Sequence, residues 1–427
     1  MRVRGIVVVV ALILAACDAT PSPTPTPAPS ASTVTTPTLA PSPSPSPSPS
    51  PRPLAAGRVV QVLVDGLNIR TSASRDASAV GVVQAGQRVT IVSGPQGADG
   101  FSWYEVSRGR DAARGWLAAG SAQQPWLMPV SSGRLAVRYQ EGQRVGIGLM
   151  GAAGQDPVVL EGAPTRISWS PDGTRLAFAQ PGLAKGSSEI FVMRADGSER
   201  HPIADGSQFA WSPDSTRLAV PEGSRITLRS AEDGRDVGRL PLGALTAVAD
   251  LAWSPDSRLI AFTAAGTSDD DRDVYVMRSD TGAVSRLTDG GAHDTPVWSP
   301  SANRLAFNSP DGVLLSDPAG DDVRKLSDGR IAAGAWSPDG LFLLITRFGG
   351  LDSLDLRLQG SATLVSDDAA TTVRAGSWAP DGSRILYERV AKQGGAVQAW
   401  TANSDGSGAT QVPNAAGVAS WQSLLGG

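Results

Sequence analysis

A short motif headed by tryptophan recurs six times along this chain and limits what it can fold into. It reads Trp169-Ser170-Pro171-Asp172-Gly173, then Trp211-Ser212-Pro213-Asp214-Ser215 and Trp253-Ser254-Pro255-Asp256-Ser257. It returns as Trp298-Ser299-Pro300, Trp336-Ser337-Pro338-Asp339-Gly340 and Trp378-Ala379-Pro380-Asp381-Gly382. Neighbouring tryptophans are 42, 42, 45, 38 and 42 residues apart. One such unit cannot bury its own apolar face, so the copies must stack on one another. A period of this length predicts a closed array of small sheets.

Each copy has a local physical logic. The tryptophan ends a strand, and proline presets φ at the second position of the turn that follows. Aspartate caps the backbone locally and glycine eases the exit. A second strand comes next, as in Arg175-Leu176-Ala177-Phe178 or Arg304-Leu305-Ala306-Phe307. A third follows, as in Ile190-Phe191-Val192-Met193, and then a short fourth such as Ser285-Arg286-Leu287-Thr288. Four strands per period make one blade of a β-propeller.

Residues before the tryptophans are small: Ser168, Ala210, Ala252, Val297, Ala335 and Ser377. That suits an innermost strand crowded around the ring axis. Trp169, Trp211, Trp253, Trp298, Trp336, Trp378 and Trp421 are therefore expected as structural packing between blades. Ligand stacking on them is the alternative. Trp421 lies 43 residues after Trp378, and Ser132 to Val137 matches a second strand. The carboxy-terminal strand is expected to complete a blade whose other strands lie between Gly133 and Gly162, removing exposed sheet edges. This count gives seven blades, with six or eight as alternatives, and Trp126 reads as linker.

The bulk numbers exclude several classes. A length of 427 residues exceeds one ordinary domain. Net charge is -4, without the clustered basic footprint of a nucleic-acid binder. Two histidines and one cysteine leave little room for metal or thiol chemistry and none for an internal disulfide. No Gly-x-Ser-x-Gly elbow, His-Glu-x-x-His pair or phosphate-binding Gly-rich loop with Lys occurs. No catalytic residue, metal or cofactor is assigned, and the chain is not expected to be an enzyme.

Met1-Arg2-Val3-Arg4 is basic, and Gly5 to Ala16 is apolar. A bilayer core of ~30 Å needs roughly 20 apolar residues, so this run suits the h-region of a signal peptide instead. Leu14-Ala15-Ala16-Cys17 resembles the lipobox of bacterial lipoproteins. The resemblance implies a signal peptide over 1–16, cleavage before Cys17 and its acylation (palmitate), with an ordinary secretory signal as the alternative. Residues 17–56 are then a lipid-anchored Pro/Ser/Thr linker, expected to be disordered and biased to polyproline II. The folded part would be extracytoplasmic, held at the bacterial cell membrane.

Residues 57–120 read as short strands, with Leu67-Asn68-Ile69-Arg70, a turn at Gly86, Trp103-Tyr104-Glu105-Val106 and Gly115-Trp116-Leu117. This succession resembles bacterial SH3 domains, whose members bind cell-wall peptides or glycans. Trp103, Tyr104 and Trp116 are candidates for such a wall-binding surface, or else for core and rim packing of a small barrel.

The repeats, spanning 126–427, resemble TolB-type propellers in the Trp-Ser-Pro-Asp-Gly turn and the Leu-Ala-Phe and Tyr-Val-Met strands. TolB itself carries a different amino-terminal domain. The resemblance implies protein or peptide binding in the bacterial envelope.

The fold class expected is thus all-β, a small SH3-like barrel and then a propeller. Second-to-third and fourth-to-first strand connections share one face, where loops are long or charged. Lys185, Asp269, Asp270, Asp271, Arg272, His293, Asp294, Arg347 and Lys392 are the candidate binding residues there. The aspartate run reads as a solvated hairpin tip, with Ca²⁺ ligation as the alternative. His201 and His293 read as exposed. The expected function is a monomeric, tethered, non-catalytic binding or scaffold protein for an envelope protein or peptide, with peptidoglycan a candidate for the barrel. A propeller-type glycosidase or lyase acting on envelope polymers, and a sensor component of envelope signalling, are the alternatives.

Overall fold

The computed structural model describes residues 54–108, 114–121, 124–266 and 272–425. The expected signal peptide, Cys17, most of the linker and Asp269 to Asp271 lie outside the described residues. Every named element is a strand, so the described part is all-β.

The barrel comprises β1 (Val59–Val62), β2 (Leu67–Arg70), β3 (Ala79–Val83), β4 (Arg88–Ala98), β5 (Phe101–Ser107) and β6 (Gly115–Ala118). They pair in the order β3-β2-β6-β5-β4-β1. Alternation sets the core: Val89 and Ile91 of β4 point inward between partly exposed neighbours. They join Val60, Val62, Ile69, Val83, Val106 and Leu117 in one cluster.

Three more strands follow, β7 (Leu127–Glu141), β8 (Arg144–Met150) and β9 (Val158–Glu161). The start of β7 pairs with β1, with Val60 opposite Pro129. Its later half pairs with β8, with Leu135 opposite Met150. The carboxy-terminal strand Ala415–Leu425 also pairs with β7, with Trp421 opposite Leu135. Trp126, which reads as linker, packs its ring 5.1 Å from that of Phe101 in the barrel.

Six separate four-stranded antiparallel sheets span 166–205, 210–241, 246–286, 294–327, 330–366 and 371–411. Register is the same throughout: Trp169 faces Leu176, Trp211 faces Leu218, Trp253 faces Ile260 and Trp298 faces Leu305. Trp336 faces Leu343 and Trp378 faces Ile385. The ring thus shows six separate blades, against the seven expected. The carboxy-terminal strand, β7, β8 and β9 instead belong to a sheet continuous with the barrel. The reason is length, because β7 has 15 residues and serves both bodies.

The seams between sheets are made by indoles. Trp211 Nε1 donates to Ser168 O at 3.1 Å, and Trp298 Nε1 to Ala252 O at 3.0 Å. Trp336 Nε1 reaches Val297 O at 3.0 Å and Trp378 Nε1 reaches Ala335 O at 3.1 Å. Each indole thus buries apolar area and satisfies its one donor across a seam. Trp169, Trp253 and Trp421 are equally buried but their Nε1 atoms find no partner.

The repeated turn has a hinge pin that proline and glycine alone do not reveal. Ser170 Oγ donates to Asp172 Oδ1 at 2.6 Å and accepts from Arg175 N at 2.9 Å. Ser212, Ser254 and Ser337 repeat both contacts. In the fourth copy Asn303 replaces the aspartate as acceptor for Ser299, at 3.1 Å. The fifth position takes a left-handed φ, +72° at Gly173 but also +58° at Ala302.

Candidate binding surfaces of the ring

The two faces of the ring differ in what covers them. On the face of repeated turns sits the barrel, through the turn between β3 and β4. Gln87 Nε2 donates to Ser301 O at 2.7 Å, and Arg88 N to Pro300 O at 3.4 Å. The Arg88 guanidinium reaches across to Ser423 Oγ at 3.1 Å. Gly86 abuts Pro213 and Pro255 of two other repeats. Sequence reasoning assigned Gly86 only to a turn, and no local signal announces this docking.

Behind that turn lies the central channel, a cavity of about 680 Å³. Its wall carries Ser168, Ala252, Val297, Ala335, Ser377 and Ser420, the small residues that precede the tryptophans. Its charged lining consists of Arg88, Arg166 and Asp250. Burial pulls the Arg88 guanidinium down to about 10. Burial also lowers Arg166, opposed by the negative charge of Asp250. Asp250 itself accepts from Thr263 Oγ1 at 3.0 Å.

The opposite face carries the irregular connections. Lys185 is exposed on the loop after Pro181. Arg347 bonds Asp352 at 3.2 Å and Ser361 Oγ at 2.8 Å, so it is tethered. Lys392 Nζ donates to Asp368 O at 2.7 Å. Arg272 is half-buried, and its carbonyl accepts from His293 N at 3.0 Å. Asp294 accepts from Asn308 Nδ2 at 2.6 Å and Thr295 Oγ1 at 2.8 Å, and pairs with Arg330. Burial alone would raise the Asp294 pKa, but those partners outweigh it and hold the carboxyl below its usual range.

His293 corrects the expectation of an exposed ring. It is buried, with Nδ1 2.9 Å from Gly291 O and 3.4 Å from Asp273 Oδ1. Its ring packs edge-on to Phe307 at 6.0 Å. Asp273 is wholly buried beneath it, held by Arg286 and by Thr288 Oγ1 at 2.8 Å. These contacts hold the loop in place and leave little of His293 for a partner.

Two apolar side chains escaped the sequence reading. Leu183 and Phe348 stand fully exposed at the tips of second-to-third strand connections on this same face. Glycines flank both tips, Gly182 before Leu183 and Gly349-Gly350 after Phe348, and that pattern is the signal that was available. Among described residues, no group of three or more His, Cys, Asp or Glu side chains is placed to hold a metal.

In the barrel, Trp103 and Tyr104 follow the core-packing reading and not the wall-binding one. Both are buried, and Trp103 Nε1 donates to Ala98 O at 3.0 Å. Trp116 is half-buried beside them, against Ala73 and Phe101.

Comparison with known proteins places these features. Residues 65–122 match the bacterial SH3 domain family, and residues 210–425 match the family described as TolB beta propeller domain. A curated relative, the Uncharacterized protein Atu1656 of Agrobacterium fabrum, is 28% identical over 169 residues. That match covers 36% of this chain and 52% of the relative, so the chain spans about half of that relative's length. TolB from Acinetobacter baumannii superposes with a TM-score of 0.44 at 16% identity, over 68% of this chain and 66% of that one. An oligogalacturonate lyase in complex with manganese gives 0.48 at 14% identity, over 66% and 86%. The β-propeller domain of the Trilobed protease from Pyrococcus furiosus gives 0.48 at 14%, over 67% and 93%. With the repeat motif in phase through a family match of just over half its length, the chain belongs to the TolB beta propeller domain family, and it carries a bacterial SH3 domain ahead of the ring.

Proposed function

We propose that this chain is a non-catalytic binding protein of the bacterial envelope that captures a protein or peptide on the irregular face of its ring. One observation carries the reading. Leu183 and Phe348 are fully exposed on the face that the barrel leaves free. Large apolar side chains at loop tips offer a partner separate anchor points, and aromatic anchors are common hot spots. Lys185 and Lys392 add positive charge to the same face. Of the three candidate aromatics of the barrel, Trp116 is the one left for contact with wall polymers. Extracytoplasmic tethering through Cys17 rests on the lipobox resemblance, and the protein is read as a monomer.

The non-catalytic reading is supported by the channel lining, where Asp250 is the lone carboxylate among the described residues. Cleavage of a glycosidic bond ordinarily takes two. We also read the carboxy-terminal strand with β7, β8 and β9 as a seventh sector of the ring. What favours this is Trp421 opposite Leu135, the same register as in the six separate sheets.

Photo-crosslinking in the native membrane tests the binding face. Benzoylphenylalanine at positions 183 and 348 should give one shared adduct, and none at position 358, an exposed leucine on the other face. Adducts formed from position 358 alone would reverse the assignment.

A further inference from the structure

The channel carries a second recognition chemistry, separate from the loop tips. Arg88 is brought there by the barrel and not by any repeat. Its guanidinium lines the cavity, and Ser423 Oγ at 3.1 Å is its hydrogen-bond partner. No carboxylate among the described residues is near enough to offset the burial that lowers its pKa. A cation partly withdrawn from water with no counter-charge beside it is costly, and an anion that enters relieves that cost.

The rest of the lining fits a small guest. Arg166 and Asp250 sit three residues ahead of Trp169 and Trp253 on their strands, toward the irregular face. The lining thus holds two cations against one anion, and the negative charge of Asp250 acts on Arg166 but not on Arg88. From Arg166 to the proline mouth at Pro171 is about 16 Å of strand at ~3.3 Å per residue. The volume of about 680 Å³ falls within the range of roughly 300–1,000 Å³ usual for small-molecule sites. The turn holding Gly86 and Arg88 spans the mouth from Pro255 to Ser423. The irregular face is then the way in.

We infer that the channel is a blind pocket for a small carboxylate, whose anion seats on Arg88 at the end closed by the barrel. Arginine suits the role because its planar fork matches a carboxylate in two places. Sugar acids and carboxy-terminated short peptides share that chemistry. This inference goes beyond the loop-face reading and does not depend on it.

Titration calorimetry on the folded protein separates the sources. The probes are D-glucuronate against D-glucuronamide, and N-acetyl-trialanine against its carboxamide. At least one carboxylate should bind one-to-one and its amide at least tenfold more weakly. The pair that responds names the source. Arg88→Gln should weaken that binding at least tenfold, and Arg88→Lys should restore part of it. Arg88→Gln also removes the contact with Ser423, so Gln87→Ala serves as control: it removes a barrel contact, keeps the charge and should bind within threefold of wild type. Carboxylates that bind no better than amides would overturn the inference, as would unchanged affinity in Arg88→Gln. Crosslinking from position 348 is unaffected by either result, so the two readings fail separately.

Discussion

Gly86 of the barrel lies so close to Pro255 of the third repeat that an added Cβ would sit 2.2 Å from the Pro255 carbonyl oxygen. Its φ of +86° adds a second reason for glycine at this point. Barrel and ring therefore meet at this point by backbone approach, flanked by the side-chain contacts of Gln87 and Arg88.

Gly86→Ala should force the turn away from the ring. Overpacking of this kind costs about 1–3 kcal/mol, read as a lower midpoint in urea. Proteolysis between β6 and β7 should quicken at the same time. An unchanged midpoint with unchanged cleavage would show that the barrel does not rest on this contact.

The serine of the repeated turn invites a consensus test. Ala379 stands where Ser170, Ser212, Ser254 and Ser337 pin their aspartates, and its aspartate Asp381 bonds Ser383 instead. Ala379→Ser should raise stability by about 0.5–1.5 kcal/mol, the net worth of a typical hydrogen bond. Ser212→Ala should lower it by at least as much, since Asp214 and Arg217 N each lose a partner. Equal melting temperatures for the two variants would discard this account of the motif.

Acid should weaken the ring in a defined window. Hydrogen bonds from Arg357, against some burial, hold the Asp355 pKa at about 2. An unfolded aspartate titrates near ~3.9. A depressed carboxylate contributes stability above its unfolded pKa and loses it as pH falls through the folded one. The contribution is thus complete above about pH 4 and fades toward pH 2. Asp355→Asn should flatten that part of the stability profile and leave the slope near neutrality unchanged.

Cys17→Ser should move the protein from the membrane fraction to the soluble one and abolish incorporation of labelled palmitate. Retention of the variant in the membrane would point to an uncleaved anchor or a protein partner instead.

Much of this architecture was legible because it repeats. Tryptophan spacing, the proline turn and the Leu-Ala-Phe strand act within one unit, so each copy announces its own register. Pairing of Trp421 with the strand through Leu135 was readable for the same reason, although the two lie far apart in sequence. What escaped depends on contacts between units. Nothing near Gly86 in sequence indicates Pro255, and nothing near His293 shows that Asp273 and Phe307 will enclose it. Leu183 and Phe348 carry no local signal beyond one neighbouring glycine each, Gly182 and Gly349.

One strand, β7, holds both the barrel through Val60 and Pro129 and the ring through Leu135 and Trp421. The two bodies accordingly cannot swing like beads on a string, for any bend would tear a backbone ladder they share. Fraying at the far carboxyl end would travel the same route and unseat the Arg88 turn. Damage at one terminus is thereby reported at the other.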